Sequence, residues 1–207
     1  MAITSVTLDV ADPSAAHRFY TTAFGLHTQL RLRASDAPST GFRGFVMALT
    51  VAQPADVDAL IDAALDAGAI SLKPAAKSLW GYGGVVQAPD GTIWKVATSA
   101  KKNSGPATRD IDEIVLLLGV ADVIASKRFY VDQGLVVAKS FSRVYVEFAA
   151  GSSPIKPALY RRRALAKDVG VPADGTGSHR LTIAGTTEPF TDPDGYAWEA
   201  AVPVPTA

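Results

Sequence analysis

Polar and apolar residues alternate at the start of the chain: Ser5, Thr7 and Asp9 point one way, and Val6, Leu8 and Val10 the other. Strict alternation predicts a half-buried strand. Asp12-Pro13 then reads as a helix N-cap and first helical residue. Ala16, Phe19, Tyr20 and Phe24 follow at helical spacing, and Gly25 stops the helix. A second strand is expected over 26–33 and a polar loop over 34–40. Alternation returns over 45–51, with Met47, Leu49 and Val51 on the apolar side. Val57, Leu60, Ile61, Ala64 and Leu65 predict a helix over 54–67 that ends at Gly68. Asp56, Asp58 and Asp62 sit towards its N-terminal part, where the macrodipole favours acids. A glycine-rich loop, Trp80-Gly81-Tyr82-Gly83-Gly84, leads to two strands around a hairpin turn at Pro89-Asp90-Gly91.

The pattern then restarts. An apolar strand over 114–120 precedes a helix from Asp122 to about Gln133, stopped by Gly134. Strands are expected over 135–141, 145–148 and 155–160, followed by a basic stretch, 161–168, of one or two helical turns. Gly175-Thr176-Gly177 precedes a strand over 180–184, and a last hairpin turns at Pro193-Asp194-Gly195 into a strand over 196–202. Asp12, Phe19 and Tyr20 thus recur as Asp122, Phe129 and Tyr130. Pro89-Asp90-Gly91 with Trp94-Lys95 recurs as Pro193-Asp194-Gly195 with Trp198-Glu199. A duplicated start and a duplicated finish define a tandem repeat. The expected division is a first domain over 1–99, a polar linker over 100–110 and a second domain over 111–207. Only the first half has a helix after its middle strand. Each domain would be near the small end for a self-sufficient core.

Twenty basic residues balance twenty acidic ones, so nothing draws the chain to nucleic acid or an anionic membrane. Cysteine is absent, which removes disulfides, thiolate metal sites and cysteine nucleophiles. The first residues carry no basic n-region and no long apolar run, so a cytoplasmic protein, monomer or homodimer, is expected.

The strand Val6-x-Leu8-x-Val10-x-Asp12, the helix ending Phe19-Tyr20, the Gly25-Leu26 restart and their echoes from Leu118 to Leu135 carry a resemblance. So does the closing Asp192-Pro193-Asp194-Gly195 with Trp198-Glu199. Together they resemble the glyoxalase/bleomycin-resistance/extradiol-dioxygenase (vicinal oxygen chelate) superfamily. The resemblance implies an α+β fold: tandem glyoxalase-like domains of βαβββ units whose mixed sheets curl into cups, helices outside. It also implies, in the enzymes, one divalent metal that binds two vicinal substrate oxygens as a Lewis acid. Drug-binding members use the cup without metal.

The family's ligands are a His on the first strand, a Glu on the fourth, a His on the fifth and a Glu on the last. By this resemblance the first maps to Ser5 and Val115, the last to Lys95 and Glu199, and the fourth, in the second half, to the neighbourhood of Ala158. Strand parity expects Arg180, Thr182 and Ala184 in the second cup, with His179 turned away unless a bulge shifts the register, and Val46, Ala48 and Thr50 in the first. Each half then keeps at most one ligand, Lys95 would oppose a cation, and a lone carboxylate does not make a tight metal site. No cofactor is therefore expected.

Each candidate has a plainer alternative. Glu199 is a residual ligand or general base, or else pairs with Arg180. Arg180 clamps an anionic ligand, or else makes that same pair. Trp80 and Tyr82 form a lid over the first cup, or Trp80 covers the core edge. Tyr160 lines the second cup, or merely packs. His17 and His27 are expected on the surface, and Arg161, Arg162 and Arg163 in a solvated turn. The leading expectation is a metal-independent protein that holds an aromatic or anionic small molecule in a cup. The alternatives are a metal-dependent lyase, isomerase or dioxygenase with a rebuilt site, and a protein–protein interaction domain whose cups are filled by side chains.

Overall fold

The computed structural model describes residues 3–186 and 188–200. The chain forms four strand units in sequence. The first is β1 (Ser5–Val10), α1 (Pro13–Phe24) and β2 (Leu30–Ala34). After a short strand β3 (Ser39–Gly41) come β4 (Phe45–Thr50), α2 (Pro54–Asp66), β5 (Ile70–Ser78), β6 (Gly81–Gln87) and β7 (Ile93–Thr98). The third is β8 (Glu113–Val120), α3 (Val123–Asp132), β9 (Val137–Phe141), β10 (Tyr145–Phe148) and β11 (Lys156–Arg161). Then α4 (Arg162–Val169) and β12 (Gly175–Gly177) lead to β13 (Leu181–Thr186), β14 (Phe190–Thr191) and β15 (Ala197–Ala200). In every unit the first and last strands are parallel neighbours: β1 with β2, β4 with β7, β8 with β11, β13 with β15. The middle two units are complete βαβββ units. Among the described residues the first lacks two strands, and the last lacks its helix and one strand. Of the strand expected over 196–202, residues 201 and 202 lie outside the described residues, and the strand expected from Leu26 begins at Leu30.

The units do not pair in sequence order. The outer two join through antiparallel β1 and β13, giving a five-stranded sheet in the order β14-β15-β13-β1-β2. The inner two join through β4 and β8 into an eight-stranded sheet, β5-β6-β7-β4-β8-β11-β10-β9. Each sheet therefore takes strands from both halves of the chain. One face of each sheet shares an apolar core with α1, α2 and α3, built on Phe19, Tyr20, Phe24, Trp94, Tyr130 and Trp198. No described helix is long and apolar enough to cross a membrane.

Local chemistry explains the helix ends. The Asp12 carboxylate accepts from the Ser14 and Ala15 amides at 2.9 and 3.0 Å, and Asp122 repeats the cap at Ile124 and Ala125. Asp56 has another role than the one its position suggested. It is buried, and it accepts from Gln53 Nε2 and from the Thr108 amide, tying the segment after β7 to the start of α2.

The repeated motifs meet in space. Tyr20 donates to Asp90 Oδ2 at 2.6 Å, and Tyr130 donates to Asp192 Oδ2 at 2.5 Å. Asp192 occupies the position of Ala88 in the first copy, so the second copy has moved its tyrosine acceptor two residues upstream. That frees Asp194 to accept from the Ala121 amide and the Ser126 hydroxyl at the head of α3. Burial holds the Asp192 carboxyl above its ordinary value of 3.8, with Asp194 adding to the rise, although the Tyr130 hydroxyl and the Tyr196 and Asp194 amides favour the charged form. A raised folded value means that Asp192's contribution is complete below about pH 3.8 and fades as pH rises through the folded value. Asp192→Asn should therefore be most costly at low pH, with its gap to the wild type narrowing towards neutrality. Urea unfolding across a pH series measures this, and a gap that widens with pH would refute it.

Candidate functional site

On the five-stranded sheet, Val6, Leu8, Leu181, Ile183 and Trp198 enter the core, so Ser5, Thr7, Asp9, Thr182, Ala184 and Glu199 lie on the opposite, concave face. Register lines up three of them across neighbouring strands: Ser5 faces Ala184, and Ala184 faces Glu199. The eight-stranded sheet repeats the row as Val115, Ala48 and Lys95, with Lys156 of β11 beyond Val115. These rows hold Ser5 and Glu199, and Val115 and Lys95, the residues that the resemblance matched to first-strand and last-strand ligands. Ala184 and Ala48 stand between those residues in the two rows, Arg180 lies ahead of β13 and outside its row, and Ala158 follows Lys156 two residues along β11.

The five-stranded face carries a polar cluster that joins Glu199 and Thr182, expected there, to Asp9 and Arg33, which were not among the candidate residues. Arg33 Nε donates to Asp9 Oδ1 at 2.7 Å, its Nη2 to Thr182 Oγ1 at 2.8 Å and to Asp9 Oδ2 at 3.3 Å, and its Nη1 reaches Glu199 Oε1 at 3.3 Å. The hydrogen bond to Asp9 holds the guanidinium above its ordinary value despite burial, with Glu199 a smaller contributor. The Glu199 carboxylate thus meets Arg33 of β2, while the Arg180 guanidinium, the expected partner, donates to the Ala37 carbonyl. Arg33 and Glu199 remain about half exposed (47% and 50%), while Asp9 is 12% exposed. Beside them Ser5 Oγ is buried and finds no hydrogen-bond partner among the described residues. The signal for this cluster was present in the alternation, which put Asp9 on the polar face of β1. What pairs with it was not, because parity does not say which strand lies alongside.

The eight-stranded face is covered instead. Leu165, Ala166 and Val169 of α4 pack on Val46, Val85, Ile93, Val115, Leu117 and Ala158 in a second apolar cluster. Lys95 reaches across to Asp168 of α4 at 2.6 Å, and Lys73 donates to the Lys167 and Asp168 carbonyls at the helix end. What remains beyond α4 is a charged fringe. Lys156 bridges Glu113 and Glu147 at 2.6 and 3.4 Å, and Tyr145 donates to Glu147 and meets Tyr160 edge-on. Burial acts to raise the Glu147 carboxyl, yet the Tyr145 bond and the charges of Lys156 and Lys139 hold it below its ordinary value.

The other predicted residues scatter. Tyr82 packs against the core and donates to Asp58 of α2, so it lies on the helix side of its sheet, not in a cup. Trp80 stands 84% exposed at the tip of the β5–β6 hairpin and covers no core edge. His179 stacks on Tyr196, with Nδ1 against the Arg43 carbonyl at 2.5 Å and Nε2 against the Asp194 carbonyl at 3.1 Å. Arg180 sits at a φ of 53° ahead of β13, and its guanidinium donates twice to the Ala37 carbonyl. Arg162 is half-buried and bonded to the Phe42 and Ala173 carbonyls, not part of a solvated turn. His17 and His27 are exposed as expected.

Among the described residues, no three His, Asp or Glu side chains converge as metal ligands. The donors on the two rows do not suit a divalent cation: one offers a hydroxyl and a single carboxylate that already meets Arg33, and the other offers ammonium groups.

No family model matches the sequence, and no curated protein does. Among solved structures, glyoxalase I from Zea mays is similar at 13% identity with a TM-score of 0.63, over 96% of this chain and 91% of that one. A variant of the same maize enzyme gives 14% identity and a TM-score of 0.61 over the same shares. A provisionally assigned dioxygenase from Bacillus subtilis gives 11% and 0.53, over 94% of this chain and 72% of that one. At these identities the likeness establishes the fold: the chain has the α+β glyoxalase architecture along almost its whole length.

Proposed function

We propose that the protein binds a small organic molecule on the concave face of its five-stranded sheet, without a metal. The observation that carries this reading is the Ser5–Ala184–Glu199 row beside the Asp9–Arg33–Thr182 cluster: a fixed polar floor with one buried, unpartnered hydroxyl and a reachable carboxylate. Arg31 lies opposite Thr7 on the same face, so two carboxylates, Asp9 and Glu199, stand with two guanidinium groups, Arg31 and Arg33, and the formal charge of the floor does not choose between neutral, cationic and anionic ligands. Aromatic ligands remain within the reading. Arg180, the anion clamp expected from sequence, directs its donors to a backbone carbonyl. For the eight-stranded cup a different reading is supported: α4 fills it, as in a domain whose cup serves internal packing.

Elemental analysis of untagged protein, grown with Mn, Fe, Ni, Co and Zn, is the first test. Metal is expected only at background. A thermal-shift screen of neutral, cationic and anionic aromatic compounds follows, and its hits are expected to vanish in Glu199→Ala. Near-stoichiometric metal that falls in Glu199→Ala would overturn the reading and direct attention to diol, thiol-adduct and catechol substrates.

A further inference from the structure

On the two concave faces three cations have carboxylate partners among the described residues: Arg33 has Asp9, Lys95 has Asp168, and Lys156 has Glu113 and Glu147. Three guanidinium groups elsewhere break that pattern. Arg43 donates to the Asp90 carbonyl at 2.6 Å, Arg162 to the Phe42 and Ala173 carbonyls at 2.7 and 3.1 Å, and Arg180 to the Ala37 carbonyl. Among the described residues none of the three forms a salt bridge. A carbonyl satisfies a donor but does not neutralise its charge. Burial lowers the Arg43 guanidinium from its ordinary value, with the positive charge of Arg180 adding to the fall and the Asp90 charge opposing it.

Two of these arginines, Arg43 and Arg162, line one hollow of about 380 Å3 outside both cups, between the Phe42–Arg43 segment, the head of α4 and residues 173–179. We propose that this hollow is a binding site for a small oxyanion, the phosphate or carboxylate group of a metabolite, held by Arg43 and Arg162. A guanidinium has five N–H donors in a fork that matches two oxygens of such a group. Arg43 directs one of its donors, and Arg162 two, at backbone carbonyls. Ser178 adds a hydroxyl: its Oγ accepts from the Arg180 amide, which leaves its proton to give. The Arg162 guanidinium is fixed in place over the Phe42 ring at 5.1 Å. His179 aims both ring nitrogens at carbonyls and so acts as a positioning residue for the Arg43 backbone. The acids nearby are Asp174, exposed on the rim, and Asp90, whose carboxylate takes the Tyr20 hydroxyl and the Thr92 amide. The Asp194 carboxylate is taken up at the head of α3. Three guanidinium groups against Asp174 and Asp90 leave the region positive.

The test is a titration of the full chain with inorganic phosphate, and separately with acetate, at constant ionic strength set by chloride. Calorimetry and the arginine Nε–H resonances report binding. A saturable response is expected, weakened about tenfold in Arg162→Gln. Because Arg162 also holds two loop carbonyls, Asp174→Asn provides an arm that leaves those contacts in place. It removes a repulsive charge at the rim and should tighten binding about threefold. Tighter binding of phosphate than of acetate assigns a phosphoryl ligand, and the reverse assigns a carboxylate. No saturable response to either anion, or one indifferent to Asp174→Asn, would overturn the site.

Discussion

Replacing either buried tryptophan with alanine should cost about 3–5 kcal/mol, a large part of the stability of a domain this size. Trp94 and Trp198 are 0% and 1% exposed and hold equivalent places in the two copies, each tilted against its own tyrosine, Tyr20 or Tyr130. Phenylalanine at the same positions should separate them. Trp198 Nε1 donates to the Tyr130 hydroxyl at 3.2 Å, and its ring stacks on Phe190. Trp94 Nε1 is buried with no partner among the described residues. Trp198→Phe loses a hydrogen bond, worth about 1 kcal/mol, along with ring volume, whereas Trp94→Phe also removes an unsatisfied donor, which offsets part of its packing loss. Urea unfolding of the four variants measures this. Equal costs for the two phenylalanine variants would mean that the Trp94 donor is satisfied in solution.

The same duplicated motifs show what the sequence disclosed. Alternation placed Val6, Leu8 and Val10 in the core and Ser5 and Asp9 on the other face, and the caps at Asp12 and Asp122 marked both helix starts, because these signals are local. The resemblance in fold rested on such pieces, and the architecture agrees with it. Strand neighbours are another matter. Alternation assigns a face but not a partner, and pairing the first unit with the last brings together residues more than 140 apart in sequence, as in Arg33 with Thr182 and Glu199. Parity also fails once a strand ends. Arg180 was assigned to the cup by counting back from Leu181, but its φ of 53° turns the backbone there, and its side chain goes to Ala37. The basic stretch 161–168 gave no hint that its apolar residues would fill a cup, since Leu165, Ala166 and Val169 make only a short stripe among charges.

That filled cup leads to the sharpest steric expectation. Gly119 lies where β8 passes the segment before β4, and its amide donates to the Gly44 carbonyl at 2.7 Å. The Tyr196 hydroxyl meets the same oxygen at 2.8 Å and the Gly119 carbonyl at 3.1 Å. A Cβ on Gly119 would press into the Gly44 carbonyl oxygen and stand 3.3 Å from both Arg162 Cα and Leu165 Cδ2. Backbone cannot rotate aside as a side chain can, so relief requires moving β8 away from Gly44 or lifting the head of α4. Gly119→Ala should therefore cost about 3 kcal/mol. Gly105→Ala, where an added Cβ meets nothing within 4 Å, should stay within about 0.5 kcal/mol of the wild type. Unfolding midpoints of the pair decide it, and similar values for both would show that the β8–α4 junction yields more easily than its contacts suggest. If the strain is relieved by lifting α4, the Lys95–Asp168 pair opens with it, and the eight-stranded cup becomes accessible in that variant alone. Hydrogen exchange along α4 separates this outcome from a shift confined to β8: faster exchange at Leu165 and Ala166 is expected only if the helix lifts.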